Sequence, residues 1–234
     1  MAIELGLLIL GAYLLGSVPA AYLVARWSRG IDLRRYGSGS IGASNLWKST
    51  NKYLALPVIF FDLGKGMLTV WVAYLVGLGI VGQVAVALAT IIGHNWPIFL
   101  RLRGGRGMLT TLGIALFLPT INNSIPWGAI AGITCAVVGT FIIHNTPLGV
   151  GTGVAALPLV SWGAGEPLPI TLGFLAMFVI MVVKRLTAPR TPLTVSVTKR
   201  QLIVNRLLFD RDIRDREAWL SRRSFKHPEK QRKD

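Results

Sequence analysis

The chain has 234 residues, 52% of them hydrophobic and only 15% charged, with a formal net charge of +15. That balance excludes an ordinary soluble domain, because several apolar runs approach the roughly 20 residues that cross a bilayer. A single cysteine, Cys135, excludes an intrachain disulfide, and the three histidines lack metal-site spacing, so the sequence calls for neither metal nor cofactor.

The cations are grouped. Residues 1–25 and 107–183 contain no Lys or Arg, and residues 53–100 contain only Lys65. Basic residues collect instead at 26–52, at 101–106 and from 184 onward. This is the positive-inside pattern, with all three groups on the cytoplasmic face of a membrane protein. It makes the lipid bilayer the expected partner and argues against nucleic acid, because the charges stand where topology requires them. The first 26 residues lack a basic leader and a cleavage site, so they read as a retained span.

Residues 3–25 form that first span, running inward and interrupted by Gly16, Ser17 and Pro19. Small side chains there allow close helix packing, and proline loosens the backbone ladder. The following loop carries Gly37-Ser38-Gly39-Ser40-Ile41-Gly42-Ala43-Ser44-Asn45, flanked by Arg34, Arg35 and Lys48. Its three glycines let successive N–H groups form a concave anion seat, to which the Ser and Asn side chains add donors. A helical turn opening at Gly42 would add unpaired N–H groups of its own. Gly37-x-Gly39-x-x-Gly42 also matches the dinucleotide fingerprint. That fingerprint needs a buried strand before it, and here a charged, irregular segment precedes. From residue types alone, a plain flexible loop between membrane helices stays open as well.

Residues 54–76 read as an outward span carrying Asp62 and Lys65, three apart and so on one helix face. Charge at that depth is expensive, so the two pair with each other or face a polar cavity. Residues 80–100 return inward and end in Gly93-His94-Asn95-Trp96-Pro97, where His94 reads as a helix-end hydrogen-bonding residue or a catalyst. The next junction, Arg101-Leu102-Arg103-Gly104-Gly105-Arg106-Gly107, repeats the first one's logic of bare backbone donors beside cations. Residues 108–121 are short for a span, and 127–143, 148–162 and 168–183 are further candidates. Returning the basic tail to the inside requires an odd number of crossings. Seven is the expected count, and five with two re-entrant segments is the alternative. The likeness of Gly93-His94-Asn95-Trp96-Pro97 to Ile143-His144-Asn145-Thr146-Pro147 reads as coincidence.

The predicted organisation is therefore an all-α membrane domain over residues 1–187 and a basic tail over 188–234. In the tail, Leu202, Ile203, Leu207, Leu208 and Ile213 recur at near-helical spacing among arginines, predicting a basic helix on anionic lipid. The last dozen residues read as disordered. No G-x-S-x-G elbow and no credible Ser-His-Asp set occurs in the loops. The H-x-x-x-x-D arrangement is absent too, since counting from His94 reaches Phe99 and from His144 reaches Gly149. Chemistry here would rest on positioning and electrostatic stabilisation.

Taken together, these blocks resemble the bacterial acyl-phosphate:glycerol-3-phosphate acyltransferase family. Gly16-Ser17-x-Pro19, followed by Asp32-x-Arg34 and the loop from Gly37 to Asn45, resembles the family's first motif. Asp62-x-x-Lys65-Gly66 resembles another, and Gly93-His94-x-x-Pro97-x-Phe99, continuing to Gly104-Gly105-Arg106-Gly107 and Thr110, resembles the third. The resemblance implies a seven-span inner-membrane enzyme with its N-terminus outside and its C-terminus cytoplasmic. It implies transfer of a fatty acyl group from acyl phosphate to the 1-hydroxyl of glycerol 3-phosphate, giving lysophosphatidic acid. Catalytic roles would fall to Ser38, Lys65, His94 and Arg106. Phosphate binding would fall to Arg34, Gly37, Gly39, Ser40, Gly42, Ala43, Ser44, Asn45, Lys48, Arg103, Gly104 and Gly105.

This chain departs from the family's pattern at named places. The family usually shows Asn at Ser40, Thr at Ser44, Lys at Arg106 and often Arg at Lys48. A late His-x-x-Asn pair is replaced by Lys184-Arg185-Leu186 and a proline-rich stretch, and the basic tail is longer. The missing pair motivates two competing readings: a carrier or binding protein for small organic phosphates, and an acyltransferase with another polar acceptor.

Overall fold

Long apolar runs that lack period-two alternation fold as helices, and among the described residues of this computed structural model there is no strand. The structure describes residues 2–189, 194 and 197–221. The stretch expected to be disordered lies outside them. The helices are α1 (Ala2–Ser17), α2 (Ala20–Arg29), α3 (Ala43–Ser49), α4 (Lys52–Leu75), α5 (Ile80–Asn95) and α6 (Met108–Ile121). They continue with α7 (Trp127–Val137), α8 (Thr146–Gly163), α9 (Leu168–Leu186), α10 (Lys199–Phe209) and α11 (Arg216–Ser221). A wide π turn, Val138–Ile142, extends α7. Four described stretches are long and apolar enough to cross a bilayer: Ala2–Arg29, Lys52–Leu75, Ile80–Leu100 and Leu168–Leu186. Around them Phe60, Leu159 and Trp162 turn large apolar surfaces outward, as suits a protein solvated by lipid.

The first expected span is two helices. Pro19 has no N–H to donate, and Ala20 N–H bonds Val18 O at 3.1 Å instead of reaching back to Gly16. The break leaves the Gly16 carbonyl free, with consequences for the site. Helix pairs meet where side chains are smallest. Gly16 lies against the Thr90 carbonyl and Gly93 against that of Tyr13, so a Cβ at either glycine would enter the partner backbone. This close α1–α5 crossing is the small-residue contact that apolar helices use when lipid removes the hydrophobic drive to associate. α4 meets α6 in the same way, and Thr110 Oγ1 there donates to Asp62 O at 3.0 Å. The largest apolar core joins α4 to α9 around Ile114, Leu118, Ile170 and Phe174.

In the tail, α10 packs against α8 and α9 while Ile203 and Leu208 stay exposed. Arg185 donates to Leu207 O and Pro147 O, and Arg206 donates to Leu186 O and to Asp212 Oδ1. Near-helical spacing of apolar residues identifies a helix with one greasy side. It does not say whether that side meets lipid or protein.

Candidate active site

Three polar side chains converge in the apolar interior. Lys65 Nζ lies 2.7 Å from Asp62 Oδ1 and 2.8 Å from His94 Nδ1, and it also donates to the Gly16 carbonyl freed by Pro19, at 3.4 Å. The side chains of Lys65 and Asp62 are 1% and 4% exposed. An ammonium can only donate, so Nδ1 of His94 accepts and the imidazole proton is assigned to Nε2. Gly105 sits against that Nε2, where a Cβ would collide with it, and Gly105 N–H donates to His94 O at 3.2 Å. The second glycine-rich junction is thus moulded onto the end of α5. A small void under the first loop touches this group through Asp62 and His94, with Ser17 and Ile41 also lining it.

Asn45 organises the first loop. Its Nδ2 donates to the carbonyls of Leu33, Tyr36 and Ser40 at 3.2, 3.1 and 2.8 Å, and its Oδ1 accepts from Ser38 N–H at 3.1 Å. Gly39 N–H bonds Tyr36 O at 2.9 Å, and Ser40 N–H lies 3.4 Å from Ser38 Oγ. The inward-turned donors expected at Ser38, Gly39 and Ser40 are therefore already paired within the loop. A tight turn satisfies its own backbone first. Gly42 caps α3 in an extended conformation, and the unpaired N–H groups fall in that helix's first turn, from Ala43. Gly37 holds the turn at φ +50°, where a side chain would also run into Asn45 Oδ1.

Above the loop a cleft of about 620 Å³ opens at one end of the bundle. Its walls come from three chain-distant regions: Arg34, Arg35, Ser38 and Gly39; Arg101, Arg103, Gly104 and Arg106; and Lys184, Arg185, Arg206 and Arg211. Nine Arg or Lys side chains face three Asp, so the cleft is a focused positive field. Asp32 accepts from Arg34 Nε at 2.9 Å and Nη2 at 2.8 Å, and these bonds hold its carboxyl below the usual carboxylate range. Arg34 in turn lies over the Tyr22 ring, 5.2 Å from its centre. Lys184 donates to Asn95 O, and its ammonium stands 4.9 Å from the centre of the Trp96 ring. A wall of cations of this kind can hold phosphates and offset charge on a departing one.

Of the sequence-predicted residues, Arg34, Ser38, Gly39, Arg103, Gly104 and Arg106 line the cleft. Lys65 and His94 lie deeper, tied to Asp62, and Gly105 packs on His94. Asn45 and Gly37 shape the loop from within, with Ser40 giving its carbonyl to Asn45. Gly42, Ala43, Ser44 and Lys48 belong to α3 and its cap, with Ser44 and Lys48 exposed. Sequence reasoning missed Lys184, Arg206 and Asp210 as cleft residues. The only available signal was Lys184-Arg185 ending an apolar helix, which also reads as a plain membrane anchor.

An all-helical bundle with apolar outer faces and a cationic cleft at one end defines a membrane protein equipped to handle phosphorylated molecules. The chain belongs to the glycerol-3-phosphate acyltransferase family, whose family model matches residues 6–190. It is 43% identical over 229 residues to glycerol-3-phosphate acyltransferase 4 of Dehalococcoides mccartyi, covering 95% of this chain and 96% of that one. The Thermus thermophilus glycerol-3-phosphate acyltransferase is 42% identical over 157 residues, covering 67% of this chain and 75% of its own. Among solved structures, the glycerol 3-phosphate form of PlsY, an integral membrane glycerol 3-phosphate acyltransferase, superposes with a TM-score of 0.69. It is 26% identical, over 78% of this chain and 88% of that one.

Proposed function

We propose that this protein transfers a fatty acyl group from acyl phosphate to the 1-hydroxyl of glycerol 3-phosphate, giving lysophosphatidic acid and phosphate. The observation that carries this reading is the meeting of three separated basic segments in one cleft, in a chain of this family. Both substrates carry phosphate and one carries a hydrocarbon chain. A cationic cleft at the end of an apolar bundle suits them together.

In the reaction the hydroxyl oxygen attacks the acyl carbonyl carbon, a C–O ester bond forms, and the C–O bond to phosphate breaks. The hydroxyl proton ends on the departing phosphate, so atoms and charge balance without a covalent enzyme intermediate. Arg34, Arg103 and Arg106, with the Ser38 side chain at the cleft wall, hold the two phosphates side by side and offset the charge gathering on the leaving group. Lys48 and the first turn of α3, from Gly42 to Ser44, would add a cation and unpaired backbone N–H groups for an incoming phosphate. Lys65, fixed by Asp62 and His94, sets the potential beneath the loop. The polypeptide crosses the inner membrane seven times, with its N-terminus outside and the cleft on the cytoplasmic face.

Purified protein reconstituted in liposomes and given acyl phosphate with glycerol 3-phosphate should release one phosphate per lysophosphatidate formed. Failure to form product, under conditions where the Thermus relative does, defeats the reading. Lys65→Ala and Ser38→Ala should each reduce the rate below a hundredth, a loss of about 2.7 kcal/mol or more in transition-state stabilisation.

A further inference from the structure

Asp210 touches the cleft from an unexpected direction. It lies beyond the region that the family model matches, yet it lines the same cavity as Arg34 and Arg103. Its carboxylate brackets one atom of Arg106: Nε stands 3.0 Å from Oδ1 and 2.9 Å from Oδ2. The two side chains are 20% and 23% exposed, so the pair borders the cleft instead of being buried away from it. Neither Nη group of Arg106 has a hydrogen-bond partner among the described residues.

The carboxylate is itself held in place. Asp210 caps α10 in the left-handed conformation, φ 55° and ψ 38°, a turn that aspartate adopts more readily than most non-glycine residues. Its surroundings are specific. Arg206, one turn earlier, is 5% exposed and bonds Leu186 O and Asp212 Oδ1. Asn205 Nδ2 bonds Asp212 O at 3.0 Å, and Arg185 of α9 reaches Leu207 O. Two buried arginines therefore anchor the tail to the end of α9, and the left-handed cap returns the carboxylate toward Arg106.

We infer that Asp210 is a positioning residue for Arg106: it grips the guanidinium by its Nε edge and directs both Nη groups at a substrate phosphate. The inference rests on the reading of Arg106 as a phosphate-holding side chain. A guanidinium is planar and directional, so its orientation decides which of its donors a phosphate meets, and a carboxylate at Nε fixes that orientation. A lysine ammonium has no such edge and turns freely about its stem. The need for Asp210 therefore belongs to arginine at this position. The tail supplies this one wall of the site and makes arginine usable there.

The test is a double-mutant cycle on the reconstituted full chain, reading kcat and KM for glycerol 3-phosphate and for acyl phosphate. Asp210→Asn in the natural background should raise the KM for one of them and lower kcat/KM by about tenfold or more. Arg106→Lys should retain measurable activity, and adding Asp210→Asn to it should change kcat/KM by less than about twofold. A purely architectural aspartate would not produce that dependence on residue 106. Equal losses from Asp210→Asn in both backgrounds, or no loss in either, overturn the inference alone. A gain in kcat/KM from Asp210→Asn overturns it too, because it would make the carboxylate a competitor of the substrate phosphate. Should Asp210→Asn fail to fold, Asp210→Glu serves instead: it keeps the charge, displaces the carboxylate by one methylene, and should show the same dependence. A natural enzyme that makes no lysophosphatidate under these conditions overturns the reading of the reaction, and the inference with it.

Discussion

At Asp62 and Lys65 the side chains are 4% and 1% exposed, so neither charge has water to fall back on. Removing one partner leaves the other buried and unpaired, which costs about 3–5 kcal/mol, whereas removing both can be close to neutral. Asp62→Asn should therefore lower the unfolding midpoint in detergent sharply and abolish acyl transfer. The Asp62→Asn, Lys65→Met double variant should recover most of the midpoint and none of the activity. A double variant as unstable as the single one would show that the pair is not the source of the loss. Asn45 gives a second residue-level expectation. Its two Nδ2 hydrogens are shared among three carbonyls, and a full bond of this kind is worth about 0.5–1.5 kcal/mol. An aspartate would point a carboxylate at those same carbonyls, so Asn45→Asp should destabilise more than Asn45→Ala, as thermal melts would reveal. The roles of these residues were unequally legible beforehand. Spacing put Asp62 and Lys65 on one face, but that Lys65 would reach His94 and Gly16 depended on how α1, α4 and α5 cross. Asn45 read as an anion ligand because sequence cannot tell a side chain facing substrate from one facing its own loop.

Among the helices, the connection from α8 to α9 carries a titratable group away from the cleft. Glu166 is 9% exposed, accepts from Ser161 Oγ at 2.8 Å, and leaves its Oε1 buried without a partner. Burial pushes its carboxyl above the usual range, and the Ser161 hydroxyl opposes this only in part. The folded protein thus binds this proton more tightly than the unfolded chain does. The penalty is full above the folded pKa, shrinks as pH falls through it, and vanishes below the unfolded value. Glu166→Gln, which cannot ionise, should melt higher than the natural protein at neutral pH, with the gap closing as the solution is acidified. A gap that stays constant with pH would mean that folding does not shift the Glu166 carboxyl at all. Helix positions were largely readable from hydropathy. The short stretch at 108–121 emerged with the expected ends, and the expected 54–76 became Lys52–Leu75. The break between α1 and α2 could be read from Pro19, but not its use, because only a folded neighbour shows which carbonyl an absent N–H sets free. The proline-rich tail hid its inward-facing arginines for a similar reason: Arg185 and Arg206 resemble surface charges until their carbonyl partners are known.

For the molecule as a whole, charge arrangement makes the most exacting claim. The first loop, the 101–106 junction and the end of α9 share one cleft, so they must lie on one side of the bilayer. In a Cys135→Ser background, cysteines placed at Ser40 and at Arg103 should react with an impermeant maleimide from the same side of sealed vesicles. Labelling from opposite sides would remove the cleft, and the proposed reaction with it. The fold class and the three basic groups could be seen in the chain from the start, because lipid forces apolar runs and cations into separate stretches. That the groups meet in one place could not, since composition carries no distances. Arg106 and Asp210 are separated by 104 positions. During translation Arg106 is added that many residues before Asp210. The cleft therefore has its Arg106 side in the chain long before its Asp210 side, and is complete only once the tail has been made and packed.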